Sequence, residues 1–262
     1  MSKLLEVNGL TVSIAGKTVV KNVSFNVPLG EVFGIVGESG AGKSMTGRSI
    51  IRLLPPNSHA VGEVIFKNTN LLRLRETEMR AIRGKEITMI QQDPVASLNP
   101  AFKIRDQITD IMRLHQKINN SEAEKRAVQL LKEVGITTPE NVLDKYPHQL
   151  SGGMCQRIMI AVAFACGPSL VVADEPTTAL DVITQALVVN LMKRMKKQFN
   201  TAIIFITHNL ALAVNVCDRI AVMNKGSIVE TLPAEIFLHS AQHHYTKTLL
   251  ASIPSLFNDR SR

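Results

Sequence analysis

A chain of 262 residues with 45% hydrophobic and 20% charged residues has the make-up of a globular protein, which excludes a disordered or fibrous chain. It is long enough to bury a full core, as one large domain or as one domain carrying a substantial insert. The formal net charge of +8 admits an anionic partner, but aromatics are only 4% and no lysine/arginine stripe is interleaved with them. A solvated basic surface is therefore the better reading than a nucleic-acid groove.

The first 35 residues read as strands: "LEVNGLTVSI", a turn at Ala15, Gly16 and Lys17, then "TVVKNVSFNV". Val23, Phe25 and Val27 alternate with Asn22, Ser24 and Asn26, the period of a half-buried strand. "EVFGIVG" is a nearly uninterrupted apolar run, expected of a strand buried on both faces. A helix is predicted from about residue 42 to 54, stopped by Pro55 and Pro56. From about residue 94 to 150 the pattern turns helical and polar. Ser121 with Glu124 predicts a capping box, and Ala123, Ala127, Leu130, Leu131 and Val134 form one apolar helical face that ends at Gly135. Strand–helix alternation then resumes: "SLVVADE" and "TAIIFITH" read as buried strands with a helix over about 183–199 between them. "RIAVMNKGSIVE" reads as a hairpin turning at Asn224, Lys225 and Gly226. The longest uncharged stretch, residues 158–173, is shorter than the roughly 20 apolar residues a bilayer requires and is broken by Gly167 and Pro168. The expected architecture is an α/β core interrupted by a helical insert.

Cys155, Cys166 and Cys217 lie far apart, without the paired spacing of a zinc or iron–sulfur site. Their odd number and the lack of a signal peptide predict reduced thiols in a cytosolic chain.

Two motifs carry chemistry. "GESGAGKS" matches G-x-x-x-x-G-K-[ST] with a strand before it and a helix after it. Gly37, Glu38, Ser39, Gly40, Ala41 and Gly42 would curl backbone N–H groups around phosphate oxygens, aided by the helix dipole. Lys43 would charge-pair with the β- and γ-phosphates, and Ser44 would offer its hydroxyl to Mg²⁺. In "SLVVADEP" a buried strand delivers Asp174 and Glu175 to its C-terminal end, where ligands bind in open α/β sheets. Asp174 would hold Mg²⁺ through water, and Glu175 would polarise the water attacking the γ-phosphate. Gln92 and His208 also end predicted strands. His208 is expected to hydrogen-bond the γ-phosphate, and Gln92 to sense the metal or the attacking water.

The order "GESGAGKS", Gln92, "LSGGMCQR", "LVVADE", "TALD", His208 resembles the ATP-binding cassette of ABC transporters, over residues 4 to 250. More narrowly, "QDPVASLNP", "DEPTTALDV" and "HHYTKTLL" resemble the oligopeptide/dipeptide/nickel importer ATPases. Larger peptide-importer members carry a cysteine-containing extension. A chain that ends at Arg262 without one tilts the expectation to the shorter nickel or metal-chelate type. The resemblance implies a P-loop NTPase (RecA-like) core with an N-terminal antiparallel β-subdomain. Residues 1–91 and 158–230 would form the nucleotide-binding core, 93–157 a helical subdomain that touches membrane subunits, and 231–262 a helical tail. It implies ATP and Mg²⁺, with Ser44, Gln92 and Asp174 around the metal. It also implies two cassettes head to tail, so that Ser151, Gly152, Gly153 and Gln156 meet the partner's ATP. Asp181, with Ala179 and Leu180, would run along the interface and link the two sites. The implied partners are a second ATPase subunit (a sister chain rather than a copy), two transmembrane permeases and, indirectly, an extracytoplasmic solute-binding protein. No nucleic acid is expected, and the chain would sit peripherally on the cytoplasmic membrane face. The alternatives are an ABC ATPase of DNA repair or chromosome organisation, or a ribosome-associated one. The first is disfavoured by only 107 residues between Ser44 and Ser151 without heptads, the second by a single P-loop.

Two positions depart from the family pattern. Ile14 stands where members stack adenine on an aromatic. Cys155 stands where peptide-importer members carry arginine, and is expected to pack; a reactive thiol there is the alternative.

Overall fold

The structure is a computed structural model that describes residues 3–178 and 180–252. It divides into two compact units: Met1–Arg75 with Ala202–Arg262, and Glu76–Thr201.

The first unit opens with two long antiparallel strands, β1 (Lys3–Ile14) and β2 (Lys17–Pro28). Their alternating buried positions, such as Val23 and Val27, are those that period-2 patterning requires. β3 (Val32–Val36) follows, with all five residues buried. Then come α1 (Lys43–Ile50), β4 (Ser58–Phe66), which pairs antiparallel with β1, and the short β5 (Thr69–Asn70). α1 stops four residues before the expected end, well short of the prolines. Arg52 takes a left-handed φ of 54°, the N–H groups of Arg52 and Leu53 turn back to the Ser49 and Arg48 carbonyls, and the Arg52 guanidinium donates to the Leu71 and Leu74 carbonyls.

The second unit holds α2 (Glu76–Ile82), β6 (Ile87–Ile90), α3 (Pro94–Ser97), α4 (Ile104–Gln116), α5 (Asn120–Glu133), α6 (Pro139–Leu143), α7 (Gly152–Phe164), β7 (Leu170–Asp174) and α8 (Val182–Phe199). β6 and β7 pair in parallel. The predicted α5 stripe is buried from Ala123 to Val134. Its cap is not Ser121, however: Asn119 accepts from the Glu122 N–H at 2.9 Å, and α5 starts earlier. Glu124 is thereby released from capping and pairs with Arg105. The asparagine caps because its side chain reaches the free N–H of the third helical residue, Glu122.

The chain returns to the first unit through β8 (Ala202–Thr207), α9 (Leu210–Val216), β9 (Arg219–Asn224), β10 (Ser227–Pro233), α10 (Phe237–Ser240) and α11 (His244–Ala251). β3 lies between β8 and β9, parallel to both. The β9–β10 hairpin turns at Lys225 and Gly226, both at positive φ as a type I′ turn demands. Among the described residues no helix is long and apolar enough to cross a membrane.

Candidate functional site

In the first unit, β3 and β8 run side by side in register Val36↔Thr207, so the phosphate loop and His208 leave adjacent parallel strands at the same edge. The loop reaches α1 through Gly42, its N-cap, at φ 103°. Its shape is forced by close backbone approach. A methyl on Gly37 would lie 2.2 Å from the Met223 carbonyl oxygen, and one on Gly42 2.7 Å from that of Val19. The β9–β10 hairpin supports the loop further, the Gly226 N–H donating to the Ala41 carbonyl at 3.0 Å, and from α1 the Thr46 hydroxyl donates to the Gly42 carbonyl at 3.0 Å. Lys43 is buried, and its Nζ donates to the Gly37 and Glu38 carbonyls at 2.9 and 2.8 Å. The ammonium is thus desolvated, with two carbonyl dipoles of the loop among the groups that hold it. His208 is exposed just beyond β8.

In the second unit, the parallel pair β6 and β7 is in register Ile90↔Ala173, which brings Gln92 and the Asp174–Glu175 pair to one strand edge. Asp174 is buried at the end of β7, and Gln92 is exposed. Glu175 has φ 49°, a left-handed conformation that a non-glycine residue rarely takes and that costs on the order of 1–3 kcal/mol. The strain accompanies a defined orientation, because the Thr178 hydroxyl donates to Glu175 Oε2 at 2.9 Å. Asp181 caps α8: it accepts from the Thr184 N–H at 2.9 Å and the Thr184 hydroxyl at 2.7 Å, which hold its carboxyl below the usual range. Ala179 lies outside the described residues.

The "LSGGMCQR" stretch starts α7. Ser151 is the N-cap, its Oγ accepting from the Met154 N–H at 3.3 Å. That bond uses a lone pair and leaves the hydroxyl hydrogen to a different acceptor. Beyond their own helix turn, Gly152 and Gly153 have no atom of the described residues within 4 Å of where a Cβ would stand, and neither has a positive φ. Nothing among the described residues requires glycine there. Gln156 is buried, and its Nε2 donates to the Pro176 carbonyl at 2.7 Å, tying α7 to the turn after Glu175. Spacing alone carries no sign of that bond, because the two residues come from separate elements. Cys155 is fully buried, its thiol donating to the Pro147 carbonyl at 3.6 Å, and burial raises its thiol pKa above the ordinary value. The packing reading therefore stands and the reactive one does not. Ile14, half-buried at the β1–β2 turn opposite Lys17, offers no aromatic face.

A glycine-rich loop closed by a buried lysine, on a parallel sheet whose neighbouring strand ends in histidine, defines a P-loop nucleoside-triphosphate-binding protein. The sequence model described as ABC transporter matches residues 20–178. The chain is 48% identical to the oligopeptide transport ATP-binding protein OppD of Bacillus subtilis, over 98% of its own length and 73% of that protein's. It is 47% identical to the dipeptide transport ATP-binding protein DppD of the same organism, over 98% of its length and 78% of that protein's. Among solved structures it is similar to the dimeric post-hydrolysis state of the ATP-binding cassette MJ0796 bound to ADP and Pi. The TM-score is 0.77 and the identity 28%, over 88% of this chain and 98% of that one. The chain belongs to the ABC transporter family, as one of its ATP-binding, ATP-hydrolysing subunits.

Proposed function

We propose that this ATPase drives uptake of short peptides as one of two cassettes of a membrane importer. The observation that carries the pairing is the bare first turn of α7. Two glycines stand where alanine would fit the chain and favour the helix, so the group that needs an uncovered backbone there belongs to another molecule. A nucleotide held by a facing cassette meets that need, since a helix N-terminus with exposed amides suits a γ-phosphate. The dimeric MJ0796 cassette supports the pairing, and the oligopeptide and dipeptide transport relatives support the substrate class.

In this reading Lys43 and the amides of residues 37–44 hold the phosphates, except those of Glu38 and Ala41, which are bonded to the Tyr245 hydroxyl and the Glu38 carbonyl. Glu175 takes a proton from the attacking water while His208 fixes the γ-phosphate. The donor set fits Mg²⁺, a hard cation that takes few protein ligands and keeps its waters: a hydroxyl (Ser44), an amide oxygen (Gln92) and the buried Asp174 carboxylate at a strand end. Bound there, Mg²⁺ would neutralise charge developing between the β- and γ-phosphates. Ser151, Gly152 and Gly153 serve the partner's nucleotide, whereas Gln156, expected to join them, is buried with its amide on the Pro176 carbonyl and braces α7 from within. Asp181 at the head of α8 links the two sites. Residues 1–91 and 158–230 act as the nucleotide-binding core; of the tail expected over 231–262, residues 231–233 finish β10, α10 and α11 follow, and residues 253–262 lie outside the described residues. Residues 93–157 transmit closure to two permease subunits, which keeps the chain peripheral at the cytoplasmic membrane face. A solute-binding protein delivers the cargo on the other side.

The test is to purify the chain with its permeases and sister cassette, add the solute-binding protein, and measure ATP hydrolysis. Short peptides should stimulate turnover. Stimulation by nickel or its chelates and not by peptides would assign the metal-chelate class instead, and stimulation by DNA or ribosomes would overturn the importer reading.

A further inference from the structure

The β9–β10 hairpin holds the phosphate loop from one side; a second restraint comes from the "HHYTKTLL" stretch. The Tyr245 hydroxyl accepts a hydrogen bond from the Glu38 N–H at 3.2 Å, across 207 positions of sequence. Tyr245 is delivered by a helix that is itself anchored. Glu230 of β10 accepts from the Gln242 and His243 N–H groups at 2.7 and 3.4 Å. His243 then caps α11, its Nδ1 accepting from the Tyr245 N–H at 3.2 Å. Thr246 and Leu250 bury the inner face of the helix.

At the loop, Glu38 is a junction. Its carbonyl accepts from Lys43 Nζ at 2.8 Å and from the Ala41 N–H at 3.2 Å, while its N–H goes to Tyr245. The first two bonds arise within the loop and travel with it. The third is made from outside and fixes the Glu38 peptide against the C-terminal helix.

We propose that Tyr245 is a positioning residue for nucleotide binding. It holds the Gly37–Glu38 peptide, and through that peptide's Gly37 carbonyl, which accepts from Lys43 Nζ at 2.9 Å, it helps set the resting place of the Lys43 ammonium, so that α11 tunes the affinity of the phosphate loop. The inference rests on the reading that residues 37–44 hold the phosphates. The physical basis is preorganisation: a loop already in its binding shape loses less conformational freedom when the ligand arrives.

Tyr245→Phe removes the hydroxyl and keeps the ring. One net hydrogen bond corresponds to about a twofold to tenfold change in an equilibrium constant. The experiment titrates the full-length chain with a fluorescent ATP analogue and measures its steady-state ATPase kinetics, with the parent and Lys43→Ala alongside. The analogue's Kd and the KM for ATP should both rise about twofold to tenfold, with the loss in KM and not in kcat, as for an interaction equal in ground and transition states. If the parent fails to bind the analogue, or Lys43→Ala binds it as tightly as the parent, the phosphate-loop reading itself fails. If both controls behave and Tyr245→Phe binds like the parent, the positioning role is overturned. A lowered melting temperature with unchanged KM would also overturn it, since it would mark a contribution to folding alone.

Discussion

An alanine at position 153 adds one methyl group to the first turn of α7, and the structure shows where that methyl would go. Beyond its own helix turn, no atom of the described residues lies within 4 Å of it, and the residue sits in the helix without a positive φ. The folded chain therefore accepts the methyl without strain, and the unfolded chain loses some of glycine's freedom. Gly153→Ala should stabilise the fold by about 0.5–1 kcal/mol, a rise of roughly 1–4 °C in melting temperature for a chain of this size. Turnover should move the other way. A methyl over amides that must touch a phosphate displaces it by about an ångström, which costs on the order of 100-fold in rate. Gly42→Ala supplies the contrast. Its methyl would lie 2.7 Å from the Val19 carbonyl oxygen at φ 103°, so stability and activity should fall together. The assays are a thermal melt and steady-state ATP hydrolysis on the same preparations. A Gly153→Ala protein that hydrolyses ATP at the parental rate would refute the reasoning, because no external group would then need the bare backbone. A lowered melting temperature would refute the open-space argument on its own.

Other outcomes follow from the second unit. Glu175→Gln keeps the size and the acceptor oxygen facing Thr178 but loses the basic carboxylate, so turnover should drop about 100-fold or more while ATP still binds; near-parental turnover would remove Glu175 from the base role. Cys166 has its thiol pushed up to about 11 by burial, which outweighs the opposing effect of Lys85. At pH 8 only about one thiol in a thousand is ionised, so alkylation with iodoacetamide should be slow and should accelerate up to about pH 11. The sign for stability is the same: because the folded pKa lies above the unfolded one, the contribution is present at neutral pH and is lost as pH climbs towards 11. Alkylation that levels off near pH 8 would contradict the buried thiol.

The sequence by itself determined much of this protein. The period-2 stretches, the all-buried β3 and β7 runs, the hairpin at Lys225 and Gly226 and the phosphate loop were legible because each depends on local periodicity or on a residue type needed at one φ. Helix ends were less legible. α1 ends at a left-handed Arg52 whose guanidinium binds carbonyls some twenty residues away, and α5 begins early because Asn119, not Ser121, caps it. Tertiary structure alone decided the rest. It showed that Gly37 and Gly42 are required by this chain's own backbone, whereas Gly152 and Gly153 are not. It joined Gln156 to Pro176 and Tyr245 to Glu38. It also buried Cys155, where sequence left both packing and reactivity open. The physical reason is common to all of these: steric clearance, burial and hydrogen bonds between distant residues are properties of neighbours that only the folded chain brings together.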